Sequence, residues 1–546
     1  MATTSGVREP GWWTSAALAI LALLATGLRL YGWQEPVERD LAIHAVIGHE
    51  FLQGRELYSD LWDHKPPGTF LMHAAFNALF GYGPHYLLVM NILLNVGAML
   101  GIHALAWALT GRQVCGLVAA LLWVLVSDDI HLQANQPNSE AMAAPLLLFG
   151  AYCWYQVSER RLPSQWAILA GGLFFAASLL KQHYVLMPAG MAAAFLIHAA
   201  CLDRAALRAE LRTALTIAGV GLVGWLATLL VFRMQGTLDD LIDALVTYNR
   251  GYGGDILRTL KGAHWYWQRF FPSQFAAGLL PYVVTGALAV AAMLWLRRWK
   301  LLLLFLFWVL STELMVALPG KFFPHYFQLW MPVMVIGVAL LLDCLLAWPP
   351  GGRRLAMAVV IACLCLTTYR LAVQFAQPAW NWAGIKYPTE SFGEARLLGE
   401  DLATILPPDS PVFFFGHDQQ VLFYGRLRPV NGKLYARWFA DNPLMSTRLL
   451  ADTTERFMGG GFDVVIVNAP LMTLNATHIN DALNRDFVAV PDCFAHNEVW
   501  VRRGSALQPA LADGLPGRSA ASLQARGLPL DCGRQAPALV MAGTPQ

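Results

Sequence analysis

The chain has 546 residues, of which 56% are apolar and only 14% charged, and its mean hydropathy is +0.45. A soluble protein of this size carries close to a quarter charged residues, so an ordinary globular enzyme is excluded. The formal net charge of +2 lacks the basic excess of a nucleic-acid binder, and no nucleic-acid partner is expected.

Apolar runs of about 20 residues match a hydrocarbon core of ~30 Å at 1.5 Å rise per helical residue. Eleven such runs are read near 12–33, 86–110, 114–132, 140–157, 166–181, 184–201, 213–233, 275–296, 301–318, 328–348 and 355–375. They predict an α-helical polytopic membrane protein. The first run has Trp12, Trp13, Tyr31 and Trp33 at its ends and no small-residue cleavage site, so it reads as a retained signal anchor. Alternate loops hold the unbalanced basic residues: Arg112; Arg160 and Arg161; Arg204, Arg208 and Arg212; Arg297, Arg298 and Lys300; Arg353 and Arg354. By the positive-inside rule those loops and residues 1–11 are cytoplasmic, and the long loops 34–85 and 234–274 and everything after 376 are extracytoplasmic.

From about Pro388 the composition becomes that of a soluble domain. Glu390–Leu406 has helical apolar spacing, and Pro411–Phe415 and Phe462–Val467 read as buried strands, so residues 376–503 are expected to form a small α/β domain. The Ala-, Gly-, Pro- and Ser-rich stretch 504–546 reads as a disordered tail. The eight cysteines form no CxxC pair; six lie in or beside apolar runs, and only Cys493 and Cys532 are placed where an extracytoplasmic disulfide is open to them.

The first outer loop carries the chemistry. Asp40 follows the first span by a few residues, and Lys65-Pro66-Pro67 forms a rigid, extended corner that holds an ammonium near the membrane surface. A carboxylate and a fixed cation at that level suit chemistry on a lipid phosphate. Lys181, at an outer helix end, either snorkels to headgroups or binds substrate. His325 and Tyr326, beside Trp330, are open to the same two readings. Either Asn138 or Ser139 caps a predicted helix with Glu140 stabilising its positive end, or Asp129 or Glu140 stands across from Asp40 and binds sugar or acceptor. Tyr248, Arg250, Trp265, Tyr266 and Arg269 alternate rings with hydrogen-bonding groups in the loop 236–272, a composition that suits a sugar but also an interfacial belt. The two arginines there are the phosphate candidates.

The pattern Tyr58-x-Asp60-x-Trp62-Asp63-x-Lys65-Pro66-Pro67-Gly68 behind an acid after the first span resembles the bacterial relatives of the dolichyl-phosphate-mannose protein mannosyltransferases. These GT-C glycosyltransferases include aminoarabinose and galacturonic acid transferases acting on lipopolysaccharide. Leu180-Lys181-Gln182 and Gly320–Phe327, with its Pro324-His325-Tyr326 segment, extend the likeness over roughly 12–375. Family members often have Asp-Glu-Gly where this chain has Asp40-Leu41-Ala42. The resemblance implies a GT-C-like domain at 12–375 in a bacterial inner membrane, taking a sugar from a polyprenyl-phosphate donor to a lipid, glycan or protein acceptor with inversion. It implies Asp40 as general base, with Glu38 the competing acid. Lys65, Lys181, His325, Tyr326, Arg250 and Arg269 would meet the donor phosphate. Glu38, Asp129, Glu140, Tyr248, Trp265 and Tyr266 would meet sugar or acceptor. No metal is assigned, since His44, His64 and Glu140 do not form a recognised ligand motif. The rival reading is a transporter or flippase of a lipid-linked sugar.

Overall fold

A computed structural model describes residues 11–253, 279–348, 351–436, 443–468, 477–491 and 496–515. Among these, eleven apolar helices stand where the apolar runs predict them. They are α1 Trp12–Tyr31, α4 Pro84–Thr110, α5 Gln113–Val126, α6 Ser139–Ser158, α7 Trp166–Ser178, α8 Leu186–Leu202, α9 Leu207–Gln235, α10 Leu280–Trp295, α11 Trp299–Ala317, α12 Trp330–Leu346 and α13 Gly351–Phe375. Among the described residues seven helical segments are long and apolar enough to cross a membrane, and the protein is an integral membrane protein.

The central helix is α12, buried along almost its whole length, whereas α1, α9 and α13 turn mostly exposed apolar faces outward. With lipid outside, such exposure costs nothing, and the helices associate through close packing at small residues. At the α8–α11 contact a Cβ on Gly190 would lie 3.0 Å from the Phe307 carbonyl oxygen. The basic loops gather at one end of the bundle. Asp343, buried on α12, is clamped there by Arg112 (Nε at 2.7 Å) and Arg298, and Lys300 Nζ binds Glu159 at 2.7 Å.

The long loop 34–85 is largely helical. It folds into α2 Arg39–Leu52 and α3 Pro67–Phe80. Pro67 occupies the first helical turn, where its missing N–H is no loss. Residues 41–47 of α2 are all buried, because α3 and the C-terminal domain cover that helix.

The C-terminal domain is α/β as expected. Helix α14 (Phe392–Leu402) precedes strands β1 (Pro411–Phe415), β2 (Arg428–Pro429), β3 (Val464–Val467), β4 (Phe487–Ala489) and β5 (Glu498–Arg502). The sheet order is β2-β1-β3-β5-β4, parallel where β1 meets β2 and β3, antiparallel where β5 meets β3 and β4. Its two central strands pair as Val412 with Val464 and Phe413 with Val465, all buried, which accounts for their uninterrupted apolar runs. Past residue 503 the chain does not at once run free, since Leu511 and Leu515 are buried. Residues 516–546, Cys493, Cys532, Trp265, Tyr266 and Arg269 lie outside the described residues.

Candidate active site

The end of the bundle opposite the basic loops carries a cavity of about 580 Å³, roofed by the C-terminal domain. Its floor begins with α2. The chain leaves α1 through a single 3-10 turn, Gly32–Gln34, and runs extended to Glu38, so Asp40 falls in the first turn of α2. A helix N-terminus favours a carboxylate there. The Asp40 side chain is 45% exposed, and its open side faces the cavity.

Lys65 is held from three directions. Its N–H donates to Asp63 Oδ1 at 3.1 Å and its carbonyl accepts from Tyr58 OH at 2.8 Å. The following Pro66 is extended (φ −62°, ψ 160°). Gly68 N–H then donates to the Leu179 carbonyl at 2.9 Å, and a Cβ at Gly68 would lie 2.6 Å from that oxygen. Only glycine lets the corner dock on the end of α7, which brings Lys65 beside the Lys181 segment. Lys65 Nζ ends 3.5 Å from Asp40 Oδ2 and 3.7 Å from Asp63 Oδ1.

Enclosure at the cavity floor pushes the Asp40 carboxyl upward, but the Lys65 ammonium, with the Arg39 guanidinium behind it, reverses this and holds it well below its ordinary value. Burial likewise opposes charge on Lys65, and the Asp40 and Asp63 carboxylates override it, so the ammonium is firmly protonated. Asp63, buried behind them, is pushed up by that burial. His44, one turn along α2 from Asp40, is buried and kept neutral by burial and by Lys65. Both its ring nitrogens lack a hydrogen-bond partner among the described residues.

A second cationic group closes the far wall. Lys181 Nζ pairs with the Glu140 carboxylate and lies 4.3 Å from the centre of the Tyr326 ring. His325 Nδ1 is 3.0 Å from Gln133 Oε1. Asn138 caps α6 by accepting from Ala141 N at 3.3 Å, and Glu140, two residues on, lines the cavity. Lys321 Nζ sits 4.2 Å from the centre of the Tyr252 ring. It has no ion pair among the described residues.

Asp40, Lys65, Lys181, His325, Tyr326, Glu38 and Glu140 thus line one cavity. Three other candidates stand elsewhere. Asp129 is consumed structurally: its Oδ1 accepts from His131 N at 2.8 Å and its Oδ2 from Arg370 Nε at 2.8 Å, tying the α5–α6 loop to α13. Tyr248 is fully buried with its ring 5.0 Å from Trp62, a support behind the wall that His64 and Tyr252 present. Arg250 is exposed and does not line the cavity.

Arg39, Lys386, Tyr387, Glu390, Phe392 and Tyr435 also line the cavity, and none of them is among the sequence candidates. Arg39 adjoins Asp40, the one available hint. The other five come from the C-terminal domain or its linker. Among the described residues no three His, Cys, Asp or Glu side chains group closely enough to hold a metal ion.

The family model described as dolichyl-phosphate-mannose-protein mannosyltransferase matches residues 64–230. The chain is similar in structure to ArnT from Cupriavidus metallidurans bound to undecaprenyl phosphate, at 15% identity, covering 90% of this chain and 98% of that one with a TM-score of 0.53. Its fold is that of the GT-C glycosyltransferases. The oligosaccharyltransferase of Archaeoglobus fulgidus in complex with Zn and sulfate also matches, at 12% identity over 89% of this chain and 73% of that one, TM-score 0.51. No curated protein matches the chain in sequence. The family match begins at His64, inside the Trp62–Gly68 segment on which the resemblance rests.

Proposed function

We propose that this glycosyltransferase moves a sugar from a polyprenyl monophosphate carrier to a hydroxyl or amine of a lipid, glycan or protein acceptor, at the extracytoplasmic face of a bacterial inner membrane. The observation that carries the reading is the Asp40 carboxylate 3.5 Å from the Lys65 ammonium in a cavity where further lysines converge. The cavity faces Arg39, Lys65, Lys181, Lys321 and Lys386 against Glu38, Asp40, Glu140 and Glu390, which leaves one positive charge among its lining lysines, arginine and carboxylates. A phosphodiester linking sugar to polyprenol carries one negative charge and matches it.

In this mechanism Asp40 takes the acceptor proton while the acceptor oxygen or nitrogen attacks the anomeric carbon, and the bond from that carbon to the phosphate oxygen breaks. Base catalysis of this kind contributes roughly 10²- to 10⁴-fold. The departing polyprenyl phosphate gains a second negative charge as it leaves. Lys65, Lys181 and Lys321 meet that charge where it develops, so they stabilise the transition state more than the bound donor. Attack opposite the leaving group in one step inverts the anomeric centre. The basic loops at the far end of the bundle support a cytoplasmic N-terminus and an extracytoplasmic cavity.

An apolar groove of about 270 Å³ supports a prenyl donor. It runs between α10, α11 and α12, starts at Phe327 and Trp330 just past Tyr326, and is lined by Tyr282, Gly286, Phe305 and Met334 among others. Gly286→Leu is expected to fill it, raising the donor KM about tenfold with kcat little changed, because each lost CH₂ contact is worth about 0.8 kcal/mol. A donor with only two isoprene units should not distinguish this variant from wild type.

The deciding experiment is transfer of labelled sugar from a panel of polyprenyl-phosphate sugars to membrane lipid and protein, with purified wild type and Asp40→Asn. Transfer that falls about a hundredfold or more in a variant still binding undecaprenyl phosphate supports the assignment. Undiminished transfer by Asp40→Asn removes the base from Asp40, and labelled lipid crossing vesicles without transfer by wild type would restore the flippase.

A further inference from the structure

Residues 34–39, which lead to the base, are gripped by the C-terminal domain at almost every position. Arg396 donates to the Gln34 carbonyl at 2.9 Å. Lys386 Nζ reaches Glu35 at 2.8 Å and Glu38 at 2.7 Å. Val37 is bound on both sides: its N–H donates to Tyr424 OH and its carbonyl accepts from Gln420 Nε2, each at 3.0 Å. From the membrane domain, Gln136 takes the Glu38 N–H at 2.9 Å and donates to the Pro36 carbonyl at 3.1 Å.

Arg39 is the most heavily held of all. Its Nε donates to the His417 carbonyl at 2.7 Å, one terminal nitrogen donates to Tyr435 OH at 3.2 Å, and the other pairs with Glu390. The guanidinium carbon also lies 5.5 Å from the Phe392 ring centre and 5.2 Å from that of Tyr435. Such a planar, multiply bonded fork fixes direction as well as place, which a lysine ammonium does not. Arg39 and Asp40 are consecutive in the first turn of α2, so fixing one backbone fixes the other.

We infer that the C-terminal domain is a working part of the catalytic centre, with Arg39 as the positioning residue through which it sets the place of Asp40. This rests on the reading of Asp40 as base. The domain is then more than a cover or an acceptor platform: the membrane helices alone leave the segment 34–39 anchored by Gln136 and Asn135. The reach of a base is unforgiving, since a displacement of about 1 Å costs about a hundredfold in rate.

The test uses full-length protein and the transfer assay above. Arg39→Ala should lower kcat about a hundredfold while the donor KM and retention of undecaprenyl phosphate stay within about threefold. Arg39→Lys should recover little, because one ammonium does not serve His417, Tyr435 and Glu390 together. A second variant acts from the domain side without touching the cavity: Gln420→Leu with Tyr424→Phe removes both bonds to Val37 and should lower kcat about tenfold at unchanged donor KM. Should Arg39→Ala fail to fold, this double variant decides. Full kcat in either folded variant overturns the inference, as does a loss seen in donor KM alone. Wild type without transfer refutes the functional reading instead, whereas transfer lost in Asp40→Asn yet kept in the Arg39 and Val37-contact variants refutes only this one.

Discussion

Lys65→Met is expected to lose about 10²- to 10³-fold in transfer rate, the scale of removing one preorganised charge from a developing anion. The loss has two sources that pH separates. Lys65 is the strongest of the charges that hold the Asp40 carboxyl low against its enclosure in the cavity, with Arg39 a weaker one. Without it the upward push of burial is less opposed, Asp40 protonates at higher pH, and the acid limb of the rate profile moves up. The phosphate contribution is lost at every pH. Residual activity measured from pH 4 to 9 should therefore show a lower plateau and a displaced acid limb. A lower plateau with the limb unmoved would leave Lys65 as a phosphate ligand only. An unchanged plateau would remove it from the site. Lys65→Arg keeps the charge near Asp40 and should restore the limb more fully than the plateau.

The sequence made the membrane architecture legible because lipid imposes one rule on every spanning helix, a run of apolar residues. It is silent on the bounds of α2 and α3, where the rule does not apply. The 14 residues of α3 are too few to span, and α2 is apolar because another domain covers it, a cause that no local window contains. Strand β1 was legible end to end, since a buried parallel strand reads as a short apolar run behind a Pro-Pro-Asp-Ser turn.

The site divides along the same line. Asp40 and Lys65 stood out because the Pro-Pro corner announces a fixed side chain within the loop itself. Asp129 and Glu140 looked alike in sequence, two acids at a span boundary. What separates them is Arg370 on α13, which claims Asp129, and Lys181, which draws Glu140 to the cavity wall. Arg39 and Lys386 find their partners across more than 300 residues, Arg39 with Glu390 and Lys386 with Glu38. Pairs so distant leave no pattern in a single chain.

Lys386→Met carries the largest expected cost in stability. The lysine side chain is completely buried, and it neutralises Glu35 and Glu38 while donating to Asn135 Oδ1 at 3.1 Å. Burial opposes its charge, and the two carboxylates outweigh burial and raise its affinity for the proton. A lysine raised in this way contributes its stability fully below its unfolded value and loses it only as pH climbs through the higher folded one, so between pH 5 and 9 wild type should show no loss from this group. Methionine replaces the stem but strands two carboxylates without a cation, which costs about 3–5 kcal/mol. Thermal unfolding in detergent should show the midpoint falling by several degrees, and the deficit narrowing as pH drops and protons take the place of the ammonium. Adding Glu35→Gln to Lys386→Met should recover part of the loss, since one stranded charge is then gone. A midpoint equal to wild type at neutral pH would mean that water already solvates these carboxylates. The grip of the C-terminal domain on segment 34–39 would then rest on Arg39 and the Val37 bonds alone.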